Sequence, residues 1–154
     1  MGNETDHRGS AASPWVDVDD LGHERDKRYV SLVLRGAFDP AAISALTGIN
    51  ADRSAREDEL VHPQGTLRRR KDYWEVSSGL GTQAEVHDQL DALTQRVRHA
   101  SPVLADLGRQ FELTVNIGVY CHEAQGPLIL ITPEHARTVE AIGEAVSVEV
   151  YFTA

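Results

Sequence analysis

The chain has 154 residues, a single cysteine and a formal net charge of −9 at pH 7. This length suffices for one domain with a sizeable core, a single cysteine excludes an internal disulfide, and the acidic balance disfavours non-specific binding to nucleic acid. No apolar run approaches the roughly 20 residues of a membrane span, and the first residues lack the basic and apolar regions of a secretion signal. We therefore expect a cytoplasmic protein with no membrane partner.

The acidic residues are concentrated at the start of the chain. Residues 1–26 contain seven acids and two arginines, a net charge of −5, whereas the rest contains 17 acids and 13 bases, a net charge of −4. Because the first segment is also polar and without hydrophobic periodicity, we predict a disordered acidic leader over 1–26. Residues 27–154 are then expected to form a single domain.

The first predicted elements are a strand and a short helix. Apolar residues alternate over 29–35, which predicts the strand. The helix follows, with Asp39 as its cap, Pro40 at its first position and Gly48 at its end. The side chains expected to face inward are Ala42, Ile43 and Leu46. Residues 50–71 read as a polar loop, and 73–78 as a second strand.

The strongest helical pattern comes next. Thr82 and Glu85 have the spacing of a capping box, and apolar residues follow at helical spacing to the end of the helix near residue 99. The inward positions are Val86, Leu90, Leu93 and Val97. A further helical turn or two is predicted from Ser101 to Gly108.

The segment 111–121 is the best strand of the chain. Every odd position from Phe111 to Cys121 is apolar, and alternate side chains of a strand point to opposite faces of a sheet. We therefore expect the odd positions to lie beneath the helix over 83–99. After it we predict a turn at 123–126, a strand at 128–131, a helix that begins at Thr132 and a last strand at 146–152. The last helix should turn Ala136, Val139 and Ile142 inward.

These elements predict an α+β fold. From residue 73 onward their order is β-α-β-β-α-β, which is typical of a ferredoxin-like split βαββαβ core, and an extra N-terminal β-α unit precedes it. We expect about five strands in one sheet, with helices mainly on one face.

Three segments together resemble a known family. They are the helix segment 38–49 after the opening strand, the strand 73–78 with its Trp74, and the closing strand 148–152. In this order and spacing, over residues 29–152, they resemble the bacterial family of the domain of unknown function DUF4279. The resemblance implies the same fold and supplies no catalytic residues. It associates the chain loosely with small bacterial immunity-type proteins.

One turn has the pattern of an anion-binding site. Residues 79–84 read G-x-G-x-x-A between a strand and a helix, where backbone amides and the helix dipole favour a phosphate. The acid of a dinucleotide site is missing about 20 residues further on, so we expect no nucleotide cofactor of that type. The candidate anion-binding residues are Arg68, Arg69, Arg70, Trp74, Gly79, Gly81 and Thr82. The alternatives are a glycine-containing turn capped by Thr82, a solvated basic loop, and a Trp74 that packs in the core.

No catalytic or metal site is predicted. No two of the seven histidines have the i, i+4 spacing of helical metal ligands. Cys121 and His122 are adjacent in a strand and should face apart, which disfavours a nucleophile–base pair.

The function we expect is therefore a non-catalytic binding protein, such as an immunity-type inhibitor, that is a monomer or a homodimer. It would contact a protein partner through the sheet face that carries Asn116, Gly118 and Tyr120, or through the 50–71 loop. The alternative is a sensor of a small anionic ligand or nucleotide.

Overall fold

The computed structural model describes residues 26–121, 129–142 and 145–152. Except for Asp26, the predicted leader lies outside these residues, as does the turn predicted at 123–126. The five strands are β1 (Lys27–Gly36), β2 (Arg53–Ala55), β3 (Asp72–Ser77), β4 (Glu112–Cys121) and β5 (Ala145–Phe152). The described α-helices are α1 (Pro40–Thr47), α2 (Val86–Val97), α3 (Ser101–Gly108) and α4 (Pro133–Ile142).

The strands form one mixed sheet in the order β2-β3-β1-β4-β5. β1 is antiparallel to both of its neighbours, and β4 is parallel to β5. The predicted α+β fold with about five strands is confirmed. The ferredoxin-like arrangement of its core stays a prediction, and residues 129–131 of its expected strand at 128–131 are not in a strand.

One face of the sheet is covered by helices. The odd positions of β4 are buried as the alternation predicts, and they join the even positions of β1 in one hydrophobic core. All four α-helices contribute buried side chains to this core, including the four inward positions predicted for α2. α2 lies mainly over β1, and α3 contacts β4. The sequence predicted that the helix over 83–99 covers β4, whereas in the structure this helix covers the neighbouring strand β1.

The opposite face of the sheet is called the open face here. It carries the even positions of β4 and the odd positions of β1 and β3, and none of the helices that the structure describes contributes its core residues to this face. Within the described residues, no helix is both long enough and apolar enough to cross a membrane.

The ends of α1 agree with the sequence, but its inward face differs. Asp39 caps the helix by accepting a hydrogen bond from the amide of Ala41, and Gly48 ends it with φ of 68°. Ile43 and Thr47 are buried, whereas Ala42 is exposed and Leu46 is 62% exposed. The prediction for Ala42 and Leu46 is wrong because the buried stripe of this short helix runs from residue 43 to residue 47, four positions apart.

Two further predictions about helix faces and ends need correction. In α4, Ile142 is buried and Val139 half-buried as predicted, but Ala136 is exposed.

α2 begins at Val86 with Glu85 as its N-cap residue, and Glu85 makes no side-chain cap hydrogen bond. The capping box predicted at Thr82 is therefore wrong, since residues 82–84 form a turn before the helix starts.

Candidate functional site

The predicted anion-binding residues fall at two separate places. Arg68, Arg69 and Arg70 precede β3, whereas the turn that contains Gly79, Gly81 and Thr82 follows it. A strand of six residues is about 20 Å long, so the two groups lie at opposite ends of β3. The structure does not bring them together into one site.

The glycine turn uses its own neighbours as hydrogen-bond partners. The amide of Gly79 donates to Ser77 Oγ and the amide of Leu80 donates to Ser78 Oγ, both at 3.2 Å. Trp74 is fully buried on the helix-covered face, where its indole N–H donates to Ser44 Oγ at 3.0 Å. The indole is therefore a core residue and cannot stack on a ligand at the surface.

Three tyrosines lie side by side on the open face, and we call them the tyrosine cluster: Tyr29, Tyr120 and Tyr151. The ring of Tyr120 packs edge-on against Tyr29, with centroids 6.0 Å apart, and is stacked on Tyr151 at 4.8 Å. Asn116 and Gly118 precede Tyr120 on the same face and are half-buried. The residues predicted for a partner surface thus lie together, on the face that the helices leave open.

The phenol of Tyr151 has a specific acceptor. Its hydroxyl donates to Glu149 Oε2 at 2.6 Å. This hydrogen bond, together with burial and the charge of Glu149, raises the pKa of Tyr151 from 10.0 to about 12. The pKa of Tyr120 is also raised, by burial and by the charge of Glu149. Both phenols therefore remain neutral hydrogen-bond donors across the physiological pH range.

Three arginines surround Tyr73 and Glu75 on the same face, and we call them the arginine cluster: Arg35, Arg53 and Arg69. The guanidinium carbon atoms of Arg69 and Arg35 lie 4.5 and 5.6 Å from the centroid of the Tyr73 ring. Glu75 is buried and accepts hydrogen bonds from the Tyr73 hydroxyl at 2.6 Å and from Arg53 at 3.4 Å. Nε of Arg69 is buried without a hydrogen-bond partner.

The 50–71 loop is more ordered than the sequence suggests. It contains β2, and its residues Leu60 and Arg68 form an isolated antiparallel bridge. Asp72 anchors the loop by accepting hydrogen bonds from the amides of Glu57 and Phe38, each at 2.9 Å. The amide of Glu57 is the main cause that lowers the pKa of Asp72. The loop is thereby fixed beside the arginine cluster.

A histidine–aspartate group joins α2 to α4. His87, Asp91 and His135 each offer one metal-ligand atom, and these atoms lie within 4.8 Å of one another. His135 is buried, with its Nε2 2.5 Å from Asp91 Oδ1, while the Asp91 side chain is 49% exposed. Its hydrogen bond with His135 is the main cause that lowers the pKa of Asp91.

The hydrogen bonds of His135 determine whether this group can bind a metal ion. The amide of Thr132 donates to His135 Nδ1, and the amide of His135 donates to Thr132 Oγ1, both at 3.2 Å. This is a capping box at the start of α4, with a histidine in place of the usual glutamate. Because Nδ1 accepts a hydrogen bond, the proton of the neutral ring is on Nε2, which donates it to Asp91. Nε2 then has no lone pair for a metal ion, so the arrangement suits a clamp between two helices.

Sequence reasoning missed this group because it compared histidines only with one another. His87 and Asp91 are four residues apart on α2, a spacing that places them on one helix face. His135 is 44 residues from Asp91, and no local pattern could have joined them.

Cys121 lies in the core, as predicted. Its side chain is buried, and burial is the main cause that raises the pKa of its thiol, which makes it a poor nucleophile at neutral pH. His122, the neighbour considered as its base, lies outside the described residues.

The comparisons with known proteins yield a single match. A family model described as a domain of unknown function, DUF4279, matches residues 26–153. None of the curated proteins and none of the solved structures compared with the chain matches it.

Proposed function

Since the chain belongs to the DUF4279 family, for which no function is defined, we propose from the surface of its sheet that it is a non-catalytic binding protein. In this proposal it acts by protein–protein contact as an immunity-type inhibitor in the bacterial cytoplasm. The tyrosine cluster is the contact surface. The 50–71 loop, fixed beside the arginine cluster, borders the same open face.

The observation that carries the proposal is the tyrosine cluster. Tyrosine is enriched in protein interfaces because its ring buries a large area at a low cost in conformational entropy, and its hydroxyl adds a directed hydrogen bond. Here one ring from each of three neighbouring strands packs against the next, and Tyr151 remains 41% exposed. The rings hold one another in place before a partner arrives, which reduces the cost of ordering them on binding.

The charge on another part of the open face supports the same proposal. The chain is acidic as a whole, yet the arginine cluster places three basic side chains on the open face beside the buried Glu75. Arginine is the other residue type enriched at interfaces. A location in the cytoplasm agrees with the single cysteine, which is buried and reduced.

The test is capture of a partner from the native cell by the tagged full-length chain and by two variants. Tyr120→Asp places a charge in the tyrosine cluster, and Leu46→Asp places the same charge on the exposed face of α1, where Leu46 is 62% exposed. We expect a protein that the wild type and Leu46→Asp retain and Tyr120→Asp loses. The purified partner must then lose its activity when the wild type is added.

Two results would remove the proposal. One is a chain that is recovered alone from its own cells at native abundance. The other is a partner that all three proteins capture and inhibit equally, since the open face would then not be the contact surface.

The arginine cluster favours a second candidate, a sensor of a small anionic ligand. Arginine binds carboxylate and phosphate in a bidentate manner, and the unpaired Nε of Arg69 is a donor without an acceptor. Thermal unfolding with inorganic phosphate, nucleotides and dicarboxylates tests this, because a ligand that binds the folded chain raises Tm. We expect Arg69→Gln to abolish the increase and Arg109→Gln, on an exposed helix end, to leave it unchanged. No increase at millimolar concentrations would eliminate the candidate.

A further inference from the structure

β5 is an edge strand whose apolar side chains remain exposed. Among the described residues it pairs with β4 alone, and it is the last strand in the sheet order. Val146, Val148 and Val150 point to the helix-covered side of the sheet, since they are in register with buried residues of β4. Their exposed fractions are nevertheless 39%, 45% and 37%.

Such an edge normally needs protection. Exposed edge strands are usually short or carry lysine, proline or a bulge, because their free backbone groups otherwise pair with another chain. β5 is eight residues long and has one charged residue, Glu149, and no lysine or proline. The other edge, β2, has three residues, so it offers little backbone for pairing.

We propose that β5 pairs with β5 of a second copy of this chain, antiparallel, about a two-fold axis at Val148. The proposal is independent of the proposed function and rests on the strand's own sequence. About this axis Val148 opposes Val148, Val146 opposes Val150, and Ser147 opposes Glu149. The three valines of each copy then form one continuous apolar stripe, and the single charge faces a serine.

Two neighbouring registers would keep the same faces on the same side, and both are less favourable. An axis at Glu149 would set the two Glu149 carboxylates directly opposite each other, and like charges at opposed positions destabilise a strand pair. An axis at Ser147 would leave Val150 beyond the pairing and set Glu149 against Ala145. The axis at Val148 is the only one of the three that sets every valine opposite another valine.

The two-fold axis also explains why the assembly stops at two. Edge pairing of one strand with its own copy is isologous, so it closes and leaves no further β5 edge. It joins the two sheets into one of ten strands and keeps both open faces on the same side. The dimer would therefore present two tyrosine clusters on one surface.

The first experiment is sedimentation equilibrium of the full-length chain and two variants. We expect the wild type and Leu46→Asp to be dimers at micromolar concentration. Val148→Asp brings two carboxylates together at the axis, and we expect it to weaken the dimer at least about a hundredfold. A wild type that is a monomer throughout the concentration range overturns the proposal, as does a dimer that Val148→Asp leaves intact.

Thermal unfolding of Val148→Asp distinguishes a second copy from the alternative, in which another segment of the same chain covers this edge. If another segment of the same chain covered the valines, the variant would be a monomer like the wild type, with a Tm lowered as by a core substitution. That result also overturns the proposal. The proposal instead expects the Tm of monomeric Val148→Asp to match that of the wild type diluted to monomer.

Disulfide formation tests the register, with Cys121→Ser as the background. The variant Val148→Cys should form a covalent dimer under mild oxidation, because opposed strand residues lie within disulfide reach. Val146→Cys should not, since the two copies of position 146 would be four residues out of register, roughly 13 Å apart. Equal formation of covalent dimer by both variants would contradict the axis at Val148.

Discussion

The two faces of the sheet are built from the same strands but in different ways. On the covered face, the aliphatic side chains of β1, β3 and β4 pack beneath four helices and are buried. On the open face, tyrosines, arginines and glutamates hold one another through ring contacts and ion pairs. Alternate residues of one strand thus have different surroundings, and we propose that the covered face provides stability and the open face recognition.

The largest expected effect comes from a charge on the covered face. Ile117 is 1% exposed, and Ile117→Asp would bury a carboxylate with no partner. We expect a loss of several kcal/mol, on the order of the whole stability of an ordinary domain. Circular dichroism and chemical denaturation measure it. The matched variant is Asn116→Asp, one residue away on the open face, and its expected loss is below about 1 kcal/mol. Equal losses would mean that the two faces do not differ.

A smaller effect is expected at Gln89, a polar residue of the covered side that is 1% exposed. Its Oε1 accepts from the amide of Val30 and the hydroxyl of Ser78, and its Nε2 donates to the carbonyls of Arg28 and Ala84. Gln89→Leu removes these four hydrogen bonds from a buried site, so we expect a loss of about 3 kcal/mol in unfolding free energy.

Gln95→Leu is the control for Gln89→Leu, because Gln95 is exposed on the same helix. It should change the unfolding free energy by less than about 0.5 kcal/mol. If Gln89→Leu were equally mild, the polar contacts of Gln89 would not hold α2 on the sheet.

The clamp between α2 and α4 should give a smaller loss that depends on pH. Asp91→Ala leaves Nε2 of the buried His135 unpaired, and we expect a loss of about 1 kcal/mol at pH 7, since the Asp91 carboxylate is half exposed. The pKa of Asp91 is lowered from 3.8, so its contribution is present above pH 3.8 and is lost as the pH falls through the lowered value. Denaturation of the wild type and of Asp91→Ala across this pH range should show that the difference between their unfolding free energies disappears. A difference in unfolding free energy that did not decrease as the pH fell below 3.8 would contradict the clamp.

The smallest expected effect is a titration on the open face. Glu149→Gln removes the charge near Tyr151 and weakens its acceptor, so the pKa of Tyr151 should fall from about 12 toward 10.0. Because the folded-state pKa is raised, the contribution of this phenol to stability is present below pH 10 and is lost as the pH rises through about 12. Ultraviolet difference spectra of tyrosine ionisation measure the shift. An unchanged titration curve would show that the Tyr151–Glu149 hydrogen bond does not form.

The covered face was predictable from the sequence because burial leaves a local, periodic signal. The alternation in β4 identified its buried side, and the caps of α1 identified both helix ends. The prediction for Leu46 was wrong because the sequence alone does not distinguish an exposed apolar residue beside the inward-facing positions of a helix from those positions. β2 was missed because three residues are too few to show a period.

The open face was less predictable because its contacts join residues far apart in the chain. Asn116, Gly118 and Tyr120 were expected on one face from the alternation alone, but the contact between Tyr120 and Tyr29 depends on the pairing of β1 with β4. The arginine cluster likewise needs three strands and a loop. Local spacing carries no information on such partners.

The most direct test of the difference between the faces is thiol labelling along β4. Single cysteines replace Val115, Asn116, Ile117 or Tyr120 in the Cys121→Ser background, and the rate of modification is measured in the native protein. We expect positions 116 and 120, which are half-buried on the open face, to react much faster than positions 115 and 117, which are 1% exposed. Equal rates at all four positions, or faster labelling at 115 and 117, would contradict the account.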